Sequence, residues 1–236
     1  MIETLTNLNW AAVGQIIMID ILLGGDNAVV IALACRNLPE SQRSKGIILG
    51  TIGAIVLRVL LIAFAVSLLA LPTLKLIGGL LLAWIGIKLL LPEPDGTHEG
   101  LGGGTTLWAA VRTVIVADFV MSLDNVIGIA AAAERADSEH RMGLVIFGLL
   151  VSIPIIVWGS RFVIGMIERQ PWLIWFGGGL LGWIAGGMIV GDQWFAERGW
   201  FAAPIWVWVG SIIGAFGVIL TAVLLQRRSG DDATGQ

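Results

Sequence analysis

Seven stretches of this chain run on for about 20 residues each with scarcely a charge, and that pattern leaves few folds open to it. A run of about 20 apolar residues is the length a helix needs to cross the hydrocarbon core of a bilayer. Composition agrees: 57% of residues are hydrophobic and 13% charged, about half the charged fraction of an ordinary soluble domain, and the mean hydropathy is +0.90. The expected fold is an all-α membrane protein of seven transmembrane helices in one domain, with membrane lipid as its solvent.

The runs are bounded by recognisable breakers. The first, residues 10–34, ends at a polar stretch, 36–45, where Pro39 forbids continuation. The second, 46–71, is closed by Pro72. The third reaches Leu91, after which Pro92 and Pro94 open a linker rich in glycine and acid. That linker has no P-loop lysine and follows no strand, so it does not read as a phosphate cradle. The fourth run covers 106–133, the fifth 142–167 with Pro154 inside it, and the sixth 172–190. Trp194, Phe195, Trp200 and Phe201 then alternate with charge, as in a segment lying at the membrane interface. The seventh run, 204–225, precedes Arg227, Arg228 and a polar tail expected to be disordered. The first nine residues hold no Lys or Arg, so the basic start of a signal peptide is missing and the first run is expected to remain as a helix.

Two classes fall away early. Cys35 is the only cysteine, which excludes an intramolecular disulfide and a cysteine-built zinc or iron–sulfur site. The net charge is -3 and the basic residues stand singly or in pairs, so there is no nucleic-acid footprint.

The sequence repeats itself. Asp20-Ile-Leu-Leu-Gly-Gly-Asp26-Asn27 returns 98 residues later as Asp118-Phe-Val-Met-Ser-Leu-Asp124-Asn125, and the Gly78-Gly79 segment through Ile85 returns 99 residues later from Gly177 to Ile184. Two matches in the same order define a duplicated three-helix unit: repeat 1 at about 10–92, a linker at about 93–105, repeat 2 at about 106–191, and an extra helix at about 204–226. Three is odd, so the second copy enters from the opposite side, giving an inverted-topology repeat with its binding site expected near the midplane. Lys75, Arg135, Arg141 and Arg198 fall on the face of the N-terminus, whereas Arg36, Arg43, Lys45, Arg169, Arg227 and Arg228 fall on the other. The richer face is expected to be cytoplasmic, with the N-terminus outside an inner (plasma) membrane.

Four aspartates inside apolar helices would cost on the order of 10 kcal/mol if left unpartnered. Asp20 and Asn27 are seven positions apart and share a helix face, while Asp26 points away by about a third of a turn. A backbone opened at Gly24-Gly25 would aim all three at one point and free carbonyls for a cation. In the second copy Ser122-Leu123 replaces the glycines, leaving open whether that half-site opens too or uses the Ser122 hydroxyl. Asp20, Asp26, Asn27, Asp118, Asp124 and Asn125 form an all-oxygen donor set, suited to a hard divalent cation such as Mg2+, Ca2+ or Mn2+ rather than zinc or copper. Met18 and Met121 lie beside the motifs, where a thioether ligand would favour Mn2+ and where packing is the plainer reading. Arg58, near the centre of the second run, is a candidate counterion or gate, or one half of a fixed structural ion pair. Lys88, Arg112 and Arg161 are expected to snorkel to the interface, and His98 and His140 to sit on solvated loops. Four carboxylates, Arg58 and one divalent ion leave a single negative charge, which a proton would balance, so exchange with protons is expected. The plainer reading of the aspartates is that they bind helices together by hydrogen bonds; repetition of the whole pattern argues against it.

The paired motifs, read through to Ala-Val-Val-Ile-Ala after Asn27 and Val-Ile-Gly-Ile-Ala after Asn125, resemble the signature of the TerC family in its short bacterial YjbE-like branch, over nearly the whole chain. The resemblance implies a seven-helix integral membrane protein of a family named for tellurium resistance, several members of which are implicated in manganese export. It assigns the metal role to the six Asp and Asn positions above. The reading is a secondary transporter exporting a divalent cation, foremost Mn2+, and not an enzyme. Two other classes stay open: a non-transporting membrane partner that helps insert or metallate proteins through a small-residue face such as Gly177-Gly178-Gly179, and an intramembrane aspartyl hydrolase. Gly-rich faces are compatible with a monomer or a homodimer.

Overall fold

The start of the second described helix follows from local chemistry. In the structure, a computed structural model describing residues 26–64, 73–91, 106–134, 141–201 and 203–234, the polar stretch after the first run turns into helix at Glu40. The amides of Gln42 and Arg43 donate to the Pro39 carbonyl at 2.8 and 3.0 Å. The fixed φ of proline suits a first turn, and the Glu40 carboxylate faces the positive end of the helix dipole. Residues 40–45, read from their charge as loop, are therefore helical.

Every regular element among the described residues is a helix. They are α1, Asp26–Cys35, then α2 Glu40–Ala63, α3 Leu74–Leu90, α4 Leu107–Glu134, α5 Arg141–Arg169, α6 Trp172–Val190, α7 Gln193–Ala196 and α8 Ile205–Thr234. The expected start and end of the sixth run coincide with α6. Four segments are long and apolar enough to cross a membrane, Glu40–Leu61, Val151–Arg169, Trp172–Ala196 and Ile205–Arg228. The described residues are thus all-helical, with four helices that have the length and composition to cross a membrane. The tail is a correction. Residues 226–234 continue α8 rather than fraying, and the Gln226 amide donates to the Leu90 carbonyl at 2.9 Å, satisfying a group at the C-terminal end of α3.

The helices pack through glycine. α6 makes its broadest contacts with α8 and α3, and α2 packs along α4. A Cβ on Gly186 of α6 would come 2.0 Å from the Gly210 carbonyl oxygen of α8, and one on Gly214 would come 2.2 Å from the Gly182 carbonyl oxygen. Only hydrogen fits there, so the two backbones touch in the small-residue geometry that lets helices associate where no hydrophobic effect drives them together. Gly177 abuts Leu33 of α1, and Gly178 abuts Leu90 of α3. The Gly177-Gly178-Gly179 row is fully buried. It is therefore unavailable as the exposed docking face that the membrane-partner reading needs.

The apolar side chains form two main cores. One gathers Val30, Leu61, Leu82, Val120, Leu181 and Met188 between α1, α2, α3, α4 and α6. The other packs the α1 segment through Leu38 against Ile47, Val114, Ile156, Ile164 and Ile167. On the outside, Trp84, Trp158, Phe162, Phe176, Ile213 and Phe216 are exposed, which is the expected periphery of a protein surrounded by lipid. The Lys88 ammonium lies 5.3 Å from the Trp84 ring centre, and the Arg198 guanidinium lies 3.9 Å from that of Trp194. Trp194, Phe195, Trp200 and Phe201 meet in stacked and edge-on pairs, as expected for an interfacial segment.

Candidate functional site

Asp118 lies in the middle of α4, and Ser122 follows one turn later on the same face. Opposite them, α2 presents Arg58. Its Nη2 donates to Asp118 Oδ1 at 2.6 Å and its Nε to Ser122 Oγ at 3.1 Å. The Ser122 hydroxyl in turn donates to Asp118 Oδ2 at 3.1 Å. Arg58 is 2% exposed, Asp118 5% and Ser122 0%. A buried ion pair is tolerable only when hydrogen bonds satisfy its remaining lone pairs and protons, and Ser122 supplies two of them. Removing one partner from such a pair costs about 3–5 kcal/mol.

Across from Asp118 stands Asn27, 3% exposed. Neither its Oδ1 nor its Nδ2 has a hydrogen-bond partner among the described residues. Leaving a buried amide unsatisfied costs about 1–3 kcal/mol per group, so the feature calls for an explanation. Asn27 and Asp118 line one small cavity with Val30, Ile31 and Val114, of about 10 Å³, space on the scale of one water molecule. Asp26, half-buried in α1, accepts the Asn27 backbone amide on its Oδ1 at 2.8 Å. Its carboxyl lies within electrostatic reach of both Arg58 and Asp118.

The two motifs therefore meet: Asn27 and Asp26 from the first, Asp118 and Ser122 from the second. Asp20 and Met18 lie outside the described residues, as do Gly24 and Gly25. Asp124 and Asn125 belong to the backbone of α4, but their side chains are outside the described part. Met121 packs in the apolar core with Leu82 and Met188 rather than lining the cavity. α4 runs unbroken through Ser122-Leu123, so the second half-site is not opened there, and the Ser122 hydroxyl is the group in use. Among the described residues no three His, Cys, Asp or Glu side chains cluster. His98 and His140 are outside the described residues, and Arg161 reaches Ser44 at 3.3 Å on the exposed surface.

One buried acid escaped the sequence reading. Asp192, 2% exposed, caps α7 by accepting the Trp194 amide at 2.8 Å and also accepts the Leu76 amide of α3 at 2.9 Å. α3 begins after Thr73, which has φ 69° and makes no side-chain cap. Asp192 thus satisfies from a distance an amide that the local sequence leaves open. An acid directly after the end of an apolar run was the only signal for it.

The chain matches the integral membrane protein TerC family over residues 5–230. The chain belongs to the TerC family. It is 47% identical to the membrane protein YjbE of Bacillus subtilis over 178 residues, 75% of this chain and 78% of that one. It is 30% identical to the Bacillus subtilis membrane protein YceF over 56% of this chain and 55% of that one. To the inner membrane protein YgdQ of Escherichia coli K12 it is 26% identical, over 69% of this chain and 73% of that one. No solved structure matches the chain. A TerC protein is an integral membrane protein, which accounts for the exposed apolar surfaces of α2, α5, α6 and α8.

Proposed function

We propose that this TerC protein is a secondary transporter that exports a divalent metal ion, Mn2+ foremost, in exchange for protons. The supporting observation is the cavity between Asn27 and Asp118: an amide with no partner among the described residues faces a carboxylate contributed by the other copy of the motif. The oxygen of an amide and that of a carboxylate are hard donors, and among the described residues no thiolate or imidazole lines the cavity with them, which favours Mn2+, Mg2+ or Ca2+ over zinc or copper. Asp26 stands next to Asn27 in the chain, and in this reading Asp20, Asp124 and Asn125 add the remaining oxygens of the doubled motif.

In this reading the two halves are inverted copies, with the N-terminus outside and the C-terminus in the cytoplasm. Packing is compatible with it, since α2 of the first copy lies along α4 and α5 of the second meets α1. Carrying a dication between two sides through one midplane site needs the halves to rock about that site, which an inverted repeat permits. The hydrolase reading has no supporting observation among the described residues, where the Asp118 carboxylate is engaged by Arg58 and Ser122.

Mn2+ uptake into liposomes containing the purified chain tests the proposal. The wild type is expected to move Mn2+ at a rate that responds to an imposed pH gradient, and Asp118→Asn and Asp26→Asn to lose that flux. Flux equal to that of empty liposomes would reject transport, and flux indifferent to the pH gradient would reject proton exchange alone.

A further inference from the structure

We propose that Arg58 sets the charge selectivity of this site, acting as a tethered cation that any ion must displace from Asp118. The inference rests on the transporter reading and adds to it the rule by which ions are admitted. Both Asp118 oxygens are already engaged, Oδ1 by the Arg58 guanidinium at 2.6 Å and Oδ2 by Ser122 at 3.1 Å. The Asn27 amide, across the same cavity, has no partner among the described residues. The cavity therefore offers an entering ion one free ligand and one ligand under competition.

The competition has a definite sign. Arg58 brings a full positive charge to 2.6 Å from Asp118 and holds it there with directional hydrogen bonds, one to the carboxylate and one to Ser122. At such distances Coulomb attraction scales with ionic charge. An alkali ion that replaced the guanidinium would bring the same single charge without those bonds, so the exchange gains nothing. A dication brings twice the charge and can bind Asp118 and Asn27 together. Arg58 thus excludes monovalent ions and lowers the affinity for divalent ones, which also assists release.

Arg58→Gln removes the competing charge and keeps a hydrogen-bonding side chain. Calorimetric titration of the detergent-purified full chain with Mn2+ is expected to show binding on the order of tenfold tighter in Arg58→Gln than in wild type. Sodium chloride in place of an impermeant organic salt is expected to weaken Mn2+ binding in the variant and leave the wild type unchanged. Equal or weaker Mn2+ affinity in a monodisperse variant, or sodium indifference in both proteins, would overturn the proposal and leave the transporter reading standing. A wild type that binds no Mn2+, Mg2+ or Ca2+ would overturn the transporter reading and this inference with it. If Arg58→Gln does not fold, Arg58→Lys decides. Its ammonium is a point charge without the planar fork, so Mn2+ affinity should rise by a smaller factor, and an unchanged affinity would overturn the proposal.

Discussion

The Asn27 amide is buried and lacks partners among the described residues, and a buried amide left unpaired carries a penalty of about 1–3 kcal/mol. A leucine of similar shape in its place would remove that penalty while deleting an oxygen ligand. Asn27→Leu is therefore expected to raise the thermal unfolding temperature of the detergent-purified protein and to abolish any upward shift caused by Mn2+. A variant that unfolds earlier than wild type would show that the amide has a structural partner. Arg58, Asp118 and Ser122 form the opposite case, a polar group fully satisfied inside the membrane. Their types and positions were legible in the sequence, because charge in an apolar run is conspicuous. Which acid Arg58 meets was not, since Asp118 is 60 positions away along the chain.

The helices are set at their distances by glycine. Gly186 and Gly214 sit where α6 and α8 touch backbone to backbone, whereas a Cβ added at Gly217 of α8 would meet no described atom within 4 Å. Gly186→Ala must separate the helices and is expected to destabilise by about 1–3 kcal/mol, while Gly217→Ala is expected to be neutral or to stabilise by about 0.5–1 kcal/mol through helix propensity. Thermal unfolding of the two variants side by side checks the contrast; equal effects would mean that α6 and α8 do not touch there. The sequence shows both glycines alike. Contact with a neighbouring backbone, invisible in one dimension, separates them. Asp192 carries the same lesson for helix ends: its own element, α7, was predictable as an interfacial stretch, but the open amide it satisfies belongs to α3.

At the scale of the molecule, the proposed inverted arrangement makes a prediction about sidedness. Cys35 is buried and is the chain's single thiol, so a Cys35→Ala background gives clean labelling. With the N-terminus outside, Trp200→Cys, at an exposed position in the aromatic segment, is expected to react with an impermeant maleimide added outside intact cells. Ser41→Cys, exposed at the start of α2, is expected to react only after the membrane is opened. Labelling of both from the same side would reject the proposed orientation.

Apolar run length alone determined that this chain is helical and membrane-embedded, because a bilayer admits no other use of such runs. The doubled motif singled out Asn27 and Asp118 as polar groups in apolar runs, and the structure buries both. Tertiary packing decided the rest: that Asn27 and Asp118 share a cavity, that Arg58 chooses Asp118 and Ser122, and that the Gly177-Gly178-Gly179 row is covered rather than exposed. A linear pattern fixes which way a side chain points from its own helix. Only the crossing of one helix over another fixes what it meets.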